Sequence, residues 1–434
     1  MSERRIVITG LGAVTPGGIG IRECFARLLS GASAVKTIDL WDSSGFPCRA
    51  GGQLDDFSAS KFVPKSYRKS VKVMARDIEI AVAAADLAVR DAGINTKGVS
   101  EQPDIESKRL GCNIGAGLIC VDLDELGAAV NTAVVDGKFD LKAWGQVGIG
   151  NLTPLWLLKY LPNMLSCHVT IIHQAKGPSN TITCGEASGI LACGEGMRHV
   201  ARGSADVVIA GGAETKLNPM GVLRQGLLGR LTTQGNDDPA GACRPFDRAH
   251  SGTVVGEGGG LLILEEAERA GRRGARAYAE VVGFGAACDP CGVAYLKTST
   301  GNVASAIASA LRDAGIGPEQ IDMVIPAGSG VPADDVAEAA ALRQALGNRL
   351  DQVPVVPLAG AWGSLFAGAG GVNLAVAAYA LHKQVVPPGV NCENLAPACR
   401  LNVPTKPAEA KLNYVLCANY AIGGQSAAMV LKRV

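Results

Sequence analysis

The stretch SNTITCGEASGILACGEG, residues 179–196, puts two thiols and two carboxylates where a β-branched run gives way to a small-residue helix. A thiol at such a strand-to-helix turn has chemistry available to it, because the unpaired N–H groups and dipole of the helix start stabilise a thiolate nucleophile. Cys184 stands at the turn, Glu186 two residues later and Cys193 inside the expected helix. A thiol needs a base or a cation to become reactive, so Cys184 without a nearby imidazole reads as a small inert thiol. Glu186 has two readings. A carboxylate in a first helical turn is stabilised by about 0.3–1 kcal/mol whatever the protein does. As a general acid or base it would need a partner group or a desolvating pocket.

The elements that must position these residues follow from the rest of the chain. Short runs such as RIVITG, ADVVIAG, IDMVIPAG and NYVLCA alternate with Ala-rich helical stretches, which predicts layered α/β structure. The 56 glycines are about 13% of the chain, against about 7% in ordinary proteins, and many fall where those strands end. The sequence also repeats itself. AVAAADLAVRDAGI ends at Ile94 and VASAIASALRDAGI at Ile316, so RDAGI recurs after 316 − 94 = 222 residues, about half the chain. In each copy an apolar helix ends in glycine and a strand follows. Two duplicated halves are expected, residues 1–265 and 266–434.

Composition bounds the function. A chain of 434 residues, 47% of them apolar, can bury a large core. Lys and Arg number 41 against 40 Asp and Glu, a net charge of +1, so no global excess of charge recruits nucleic acid or anionic membrane. The 13 cysteines are scattered without C-x-x-C pairs, which favours reduced thiols. The longest apolar runs are strand-sized and the N-terminus enters a strand pattern at once, so a cytoplasmic protein is expected.

Over nearly its full length the chain resembles the β-ketoacyl synthase family of the thiolase-like fold. RRIVITGLGAVTPGG matches the family's opening strand and turn, GSADVVIAGGAE the strand after the nucleophile helix, and RPFDRAHSGTVVGEGGGLLILEEAERAGRRGARAYAEVVGFG its most recognisable block. The resemblance implies two βαβαβαββ halves in a five-layered α-β-α-β-α core. It also implies cysteine, two histidines and a lysine as the catalytic set, with no cofactor and no metal. Those four positions are changed. CGEASG lies over the nucleophile motif with Glu186 at the cysteine. AGSGVP overlays the first histidine segment and puts Ala327 there. AGAWGSLFAGAGG overlays the last segment, with Ala359 for lysine and Ser364 for histidine. No slip of register restores them, because His168, His173, His199, His250 and His382 all lie outside both histidine segments.

Within the family, the chain length factors of type II polyketide synthases lack the cysteine, and GRLTTQGNDDPAGACRPFDRAHSGTVVGEGG is similar to that class. Many of them carry Gln rather than Glu at the cysteine position. TPLWLLKYLPNMLSCHVTIIHQAKGPSNTIT reads more like fatty-acid-type ketosynthases. The resemblance implies a catalytically inactive subunit that pairs with an active ketosynthase as a heterodimer, works on chains bound to acyl carrier protein, and shapes the elongation tunnel. The alternative is a stand-alone enzyme with altered acyl-transfer or condensation chemistry. The strand SNTIT, with Thr181, Ile182 and Thr183, is expected to pair with the partner's copy across a two-fold axis. The segment GAGLICVDLDELGAAV is expected to be helical from about Ile119, with Leu118, Val121 and Glu125 on one face pointing into the partner's tunnel.

Overall fold

The computed structural model describes residues 4–289 and 300–434. The strands that organise it are β1 (Ile6–Thr15), β2 (Leu110–Gly115), β3 (Ser179–Ile182), β4 (Val207–Thr215), β5 (Val255–Glu266), β6 (Ala279–Cys288), β7 (Met323–Ile325), β8 (Tyr414–Tyr420) and β9 (Gln425–Lys432). They lie in the order β7-β8-β9-β6-β1-β5-β4-β2-β3 within a twelve-stranded sheet completed by short flanking strands. The seam is narrow: β6 meets β1 only at Ile6↔Val281, Val7↔Glu280 and Ile8↔Ala279. Two sheets therefore diverge from one join, β1-β5-β4-β2-β3 on one side and β6-β9-β8-β7 on the other.

Helices fill the space between and outside them. Helices α3 (Ser188–Ala201) and α6 (Ala367–Lys383) pack against each other and lie between the two sheets, α1 (Arg76–Asp91) covers the outer face of β1, β5 and β4, and α4 (Thr300–Ala314) covers β6 and β9 with α5 (Pro332–Leu346) packed against α4. The result is the duplicated five-layered α-β-α-β-α architecture expected from the sequence. Helix α6 is buried from Gly370 to Leu381 on every side, as an apolar helix with sheet on both faces must be.

The 222-residue repeat is visible as repeated packing. Helix α1 ends at Gly93 with φ 65° and α4 at Gly315 with φ 65°, the left-handed position that glycine adopts without strain. The next N–H reaches back in both copies, Ile94 to the Val89 carbonyl at 3.2 Å and Ile316 to the Leu311 carbonyl at 3.1 Å. Each helix then lies directly on a glycine pair of its strand. A side chain at Gly10 or Gly12 would collide with the carbonyls of Ala88 or Ala84, and one at Gly283 or Gly285 with those of Ala310 or Ala306. The helix residues differ by 310 − 88 = 306 − 84 = 222 positions.

At the centre, backbone meets backbone again. A Cβ at Gly212 would strike the Ala367 carbonyl and one at Gly260 the backbone of Gly371, so α6 sits as close to its sheet as glycine permits. Among the described residues no helix is long and apolar enough to cross a membrane, no cysteine is in a disulfide and no side-chain cluster could hold a metal ion.

Gly12→Ala and Gly285→Ala are each expected to destabilise the protein by about 1–3 kcal/mol, because helix and strand must separate to admit a methyl group. Gly127→Ala, in an exposed helix with open space around the position, should stabilise by about 0.5–1 kcal/mol. Thermal melts of the three variants read both signs.

Candidate functional site

Strand β3 leads through Thr183 and Cys184 into a 3-10 turn, Gly185–Ala187, which runs straight into α3. Glu186 therefore sits one step before the α-helix rather than in its first turn. Glycine at 185, with φ 53°, lets the chain reverse there. Ser188 ties the corner: its hydroxyl donates to the Gly185 carbonyl at 2.6 Å and accepts from the Cys184 N–H at 2.7 Å.

The four positions marked by the sequence converge. Glu186, Ala327, Ala359 and Ser364 line one small cavity together with Arg230, Phe366, Asn373 and Tyr420. Ala327 is held from behind by Glu338 of α5, whose carboxylate accepts from the Ala327 and Gly328 N–H groups at 2.8 and 2.9 Å. Ser364 is pinned to the start of β5, accepting from Gly256 N–H and donating its own N–H to Val254, both at 2.8 Å. Phe366 is the point of strain, at φ 49° and ψ −122° just before α6, a region that residues other than glycine avoid.

Among the described residues no cysteine, histidine or lysine lines this space. The cavity is about 30 Å³, room for about two water molecules and none for an acyl chain. Arg230, one of its lining residues, belongs to a charged pair that sequence reasoning missed. Arg230 and Asp334 are 8% and 3% exposed and lie 2.7 Å apart. Adjacent aspartates at a helix start, here Asp334 and Asp335, read in sequence as dipole partners, and nothing local pairs one of them with an arginine about a hundred residues earlier. Tyr420 Oη and Thr253 Oγ1 also line the cavity, without a hydrogen-bond partner among the described residues.

Burial pushes the Glu186 carboxyl above the usual carboxylate range, with Arg230 opposing and Glu214 and Asp334 reinforcing the shift. The desolvating pocket that the sequence could not show is therefore present. Burial, then Cys288, pushes the Cys184 thiol up as well, and Cys184 lies outside the cavity lining. Cys193 is fully buried in α3, its thiol held protonated by desolvation. The histidines are placed elsewhere: His173 bonds Thr96 and burial lowers it to about 4, while His250 faces Asp335 at 2.9 Å.

The segment after β2 departs from expectation. Its helix, α2, spans Leu123–Asn131 and does not begin near Ile119. Asp122 is the reason: its side chain accepts the Asp124 N–H at 2.9 Å and caps the helix from an extended backbone at φ −65°, ψ 128°. Leu118 and Val121 precede the helix, so they share no helical face with Glu125. Leu118 is 58% exposed, whereas Val121 packs against the core beneath α1. Glu125 is paired with Lys159 and accepts from Tyr160 Oη at 2.8 Å.

Strand β3 is the free edge of its sheet, parallel to β2 on its other side. Cys112 N–H reaches Pro178 O and Ala116 N–H reaches Ile182 O, so alternation turns Asn180 and Ile182 toward β2 and the Thr181 backbone toward the open edge. Thr183 lies just beyond the strand.

Two family models cover the chain: the β-ketoacyl synthase N-terminal domain over residues 3–270 and the C-terminal domain over residues 278–393. The chain belongs to the β-ketoacyl synthase family. It is 33% identical to the 3-oxoacyl-[acyl-carrier-protein] synthase 2 of Vibrio cholerae, over all of both chains. It is 32% identical to the tetracenomycin polyketide synthase ketoacyl synthase alpha subunit of Streptomyces glaucescens, over 100% of this chain and 98% of the relative. Among solved structures, the ishigamide ketosynthase/chain length factor superposes with a TM-score of 0.85 at 27% identity over all of both chains. The fold is thus the thiolase-like ketosynthase fold.

The raised Glu186 carboxyl gives a sign for pH. A carboxyl whose folded pKa exceeds its unfolded one holds its proton longer in the folded state, so stability is full below the ordinary carboxylate range and falls as pH rises through the shifted value. Glu186→Gln removes that fall. The melting temperature of the variant relative to the unmutated protein should therefore rise between pH 4 and pH 8, as differential scanning calorimetry would show.

Proposed function

We propose that this chain is a ketosynthase-like subunit that does not condense: a chain length factor that pairs with an active ketosynthase in a type II polyketide synthase and shapes the tunnel for the growing chain. The observation that carries the reading is the cavity. The positions where the family would hold its thiol, imidazoles and amine meet in one place, and among the described residues none of those groups lines it. Decarboxylative condensation needs a nucleophile to hold the acyl chain and donors for the developing enolate, and among the described residues the charged side chains that line this cavity are Glu186 and Arg230.

The surface supports a partner. Between β2 and β3 the chain exposes Leu118, Leu141, Leu155 and Leu157, each by more than half, beside an unpaired strand edge. Apolar area of this kind next to an open edge suits a subunit interface. The solved relative named as a ketosynthase/chain length factor supports the same pairing. A carrier protein is supported separately: the 3-10 helix Lys65–Val73 exposes Lys65, Arg68, Lys69 and Lys72, with no ion pair among the described residues, a surface suited to an acidic protein.

A stand-alone enzyme is the second reading, favoured by the half-buried Glu186, whose carboxyl is raised by desolvation, and by relatives named as synthases. The two part on loading. Incubated alone with acyl carrier protein thioesters, a chain length factor gains no acyl mass in intact-protein mass spectrometry, whereas a stand-alone acyl-transferring enzyme does.

Thr181→Pro is expected to abolish the complex with the ketosynthase, because proline removes the N–H that faces the open edge; co-elution of the variant would count against the interface. Glu186→Ala in the complex should leave condensation within a few-fold, and Glu186→Cys alone should not create a condensing site, both read by product formation with a carrier protein.

A further inference from the structure

Beyond the end of β4, Lys216 is buried at a junction of three segments. Its ammonium donates to the Leu118 carbonyl at 2.8 Å and pairs with Glu214. It also lies 5.9 Å from the centre of the Phe366 ring, within the range of a cation–π contact. The second oxygen of Glu214 accepts the Ala367 N–H, the first of α6, at 2.8 Å. A Cβ at Gly117 would collide with the same carboxylate. One buried ion pair thus touches the exposed Leu118 segment on one side and the strained wall of the degenerate cavity on the other.

The Leu118 segment needs such a hold. From Gly117 to Val121 the backbone forms no backbone–backbone hydrogen bond among the described residues. Besides Lys216, the hydrogen bonds that involve it are two weak ones to sulfur, Cys120 Sγ to the same Leu118 carbonyl at 4.0 Å and Arg224 to Cys120 Sγ at 3.7 Å. Burying an ammonium and a carboxylate removes several kcal/mol of hydration from each ion, and an apolar pair of the same volume often serves stability as well. Asp77 of α1 also faces the ammonium, and desolvation raises its own carboxyl to about 7. What the charge adds over an apolar pair is direction: a donor aimed at one carbonyl and an acceptor aimed at one N–H.

We propose that Lys216 is a positioning residue that fixes how far the Leu118 side chain projects toward the partner subunit, and so sharpens the length of the product chain. This rests on the reading of the chain as a chain length factor. It shifts the determinant from the residue that points into the tunnel to the lysine beneath it.

The test is product length by mass spectrometry, with the complex of this chain and its co-purifying ketosynthase supplied with malonyl-loaded carrier protein. Three variants are compared: Lys216→Met, the double variant Glu214→Gln/Lys216→Met, which leaves neither partner as an unpaired ion, and Leu118→Phe. The expected result is a broadened distribution in the two lysine variants. The main product's share falls at least twofold, shorter and longer chains rise, and total turnover stays within threefold. Lys216→Arg, which keeps a charged donor, restores more of the single length than Lys216→Met does. A merely structural lysine would lower yield or complex without spreading the lengths. If Leu118→Phe shifts the length while the double variant, assembled normally, leaves it unchanged, the inference is overturned and the chain-length reading stands. If neither Leu118→Phe nor the lysine variants change it, the chain-length reading fails and takes the inference with it.

Discussion

Everything in this molecule hangs on how closely α6 lies against the sheet. At Gly212, Gly260 and Gly371 the helix and sheet backbones touch with no side chain between them. That contact leaves the first turn of α6 no freedom to shift, and the residues just before it, Ser364 to Phe366, take their places from it. Ser364 bridges to β5 and Phe366 is forced through a left-handed backbone angle. The cavity beside them is therefore a by-product of packing that the fold requires with or without chemistry. This explains how Glu186, Ala327, Ala359 and Ser364 come together at one small cavity from separate segments of the chain.

The interior handles charge in two ways. Glu338 and Asp335 accept backbone N–H groups and so anchor the loop that carries Ala327. These carboxylates serve geometry, and burial still pushes Glu338 up to about 8. Arg230 with Asp334, and Lys216 with Glu214, are ion pairs in places that a purely structural protein would fill with leucine and methionine. Both pairs border the cavity or the segment that leaves it toward the exposed face.

The fold was legible because its signals are local and repeated. RDAGI marks a helix end twice, and in both copies the glycine takes the same angle and the helix lies on the same glycine pair. The grouping of Glu186, Ala327, Ala359 and Ser364 was legible because the resemblance marks these four positions together, and the fold brings them to one cavity. Two things were not. The helix after β2 was placed too early, since the apolar spacing of Leu118 and Val121 was read without weighing Asp122 as a cap. Arg230 was missed because its partner lies on another element about a hundred residues away and no local pattern joins them. Pairings that exist only in three dimensions, Lys216 with Leu118 among them, leave no mark on spacing.

The Arg230–Asp334 pair also couples two distant stretches of the sequence. Removing either partner strands the other as an uncompensated ion in a nearly dry interior, which is strongly destabilising. The two side chains are 8% and 3% exposed and lie 2.7 Å apart, so a change at one position is tolerated only with a matching change at the other. The ion pair thus works as a latch between the residues that precede β5 and the start of α5: both partners can be exchanged together for an apolar pair, and neither can be exchanged alone.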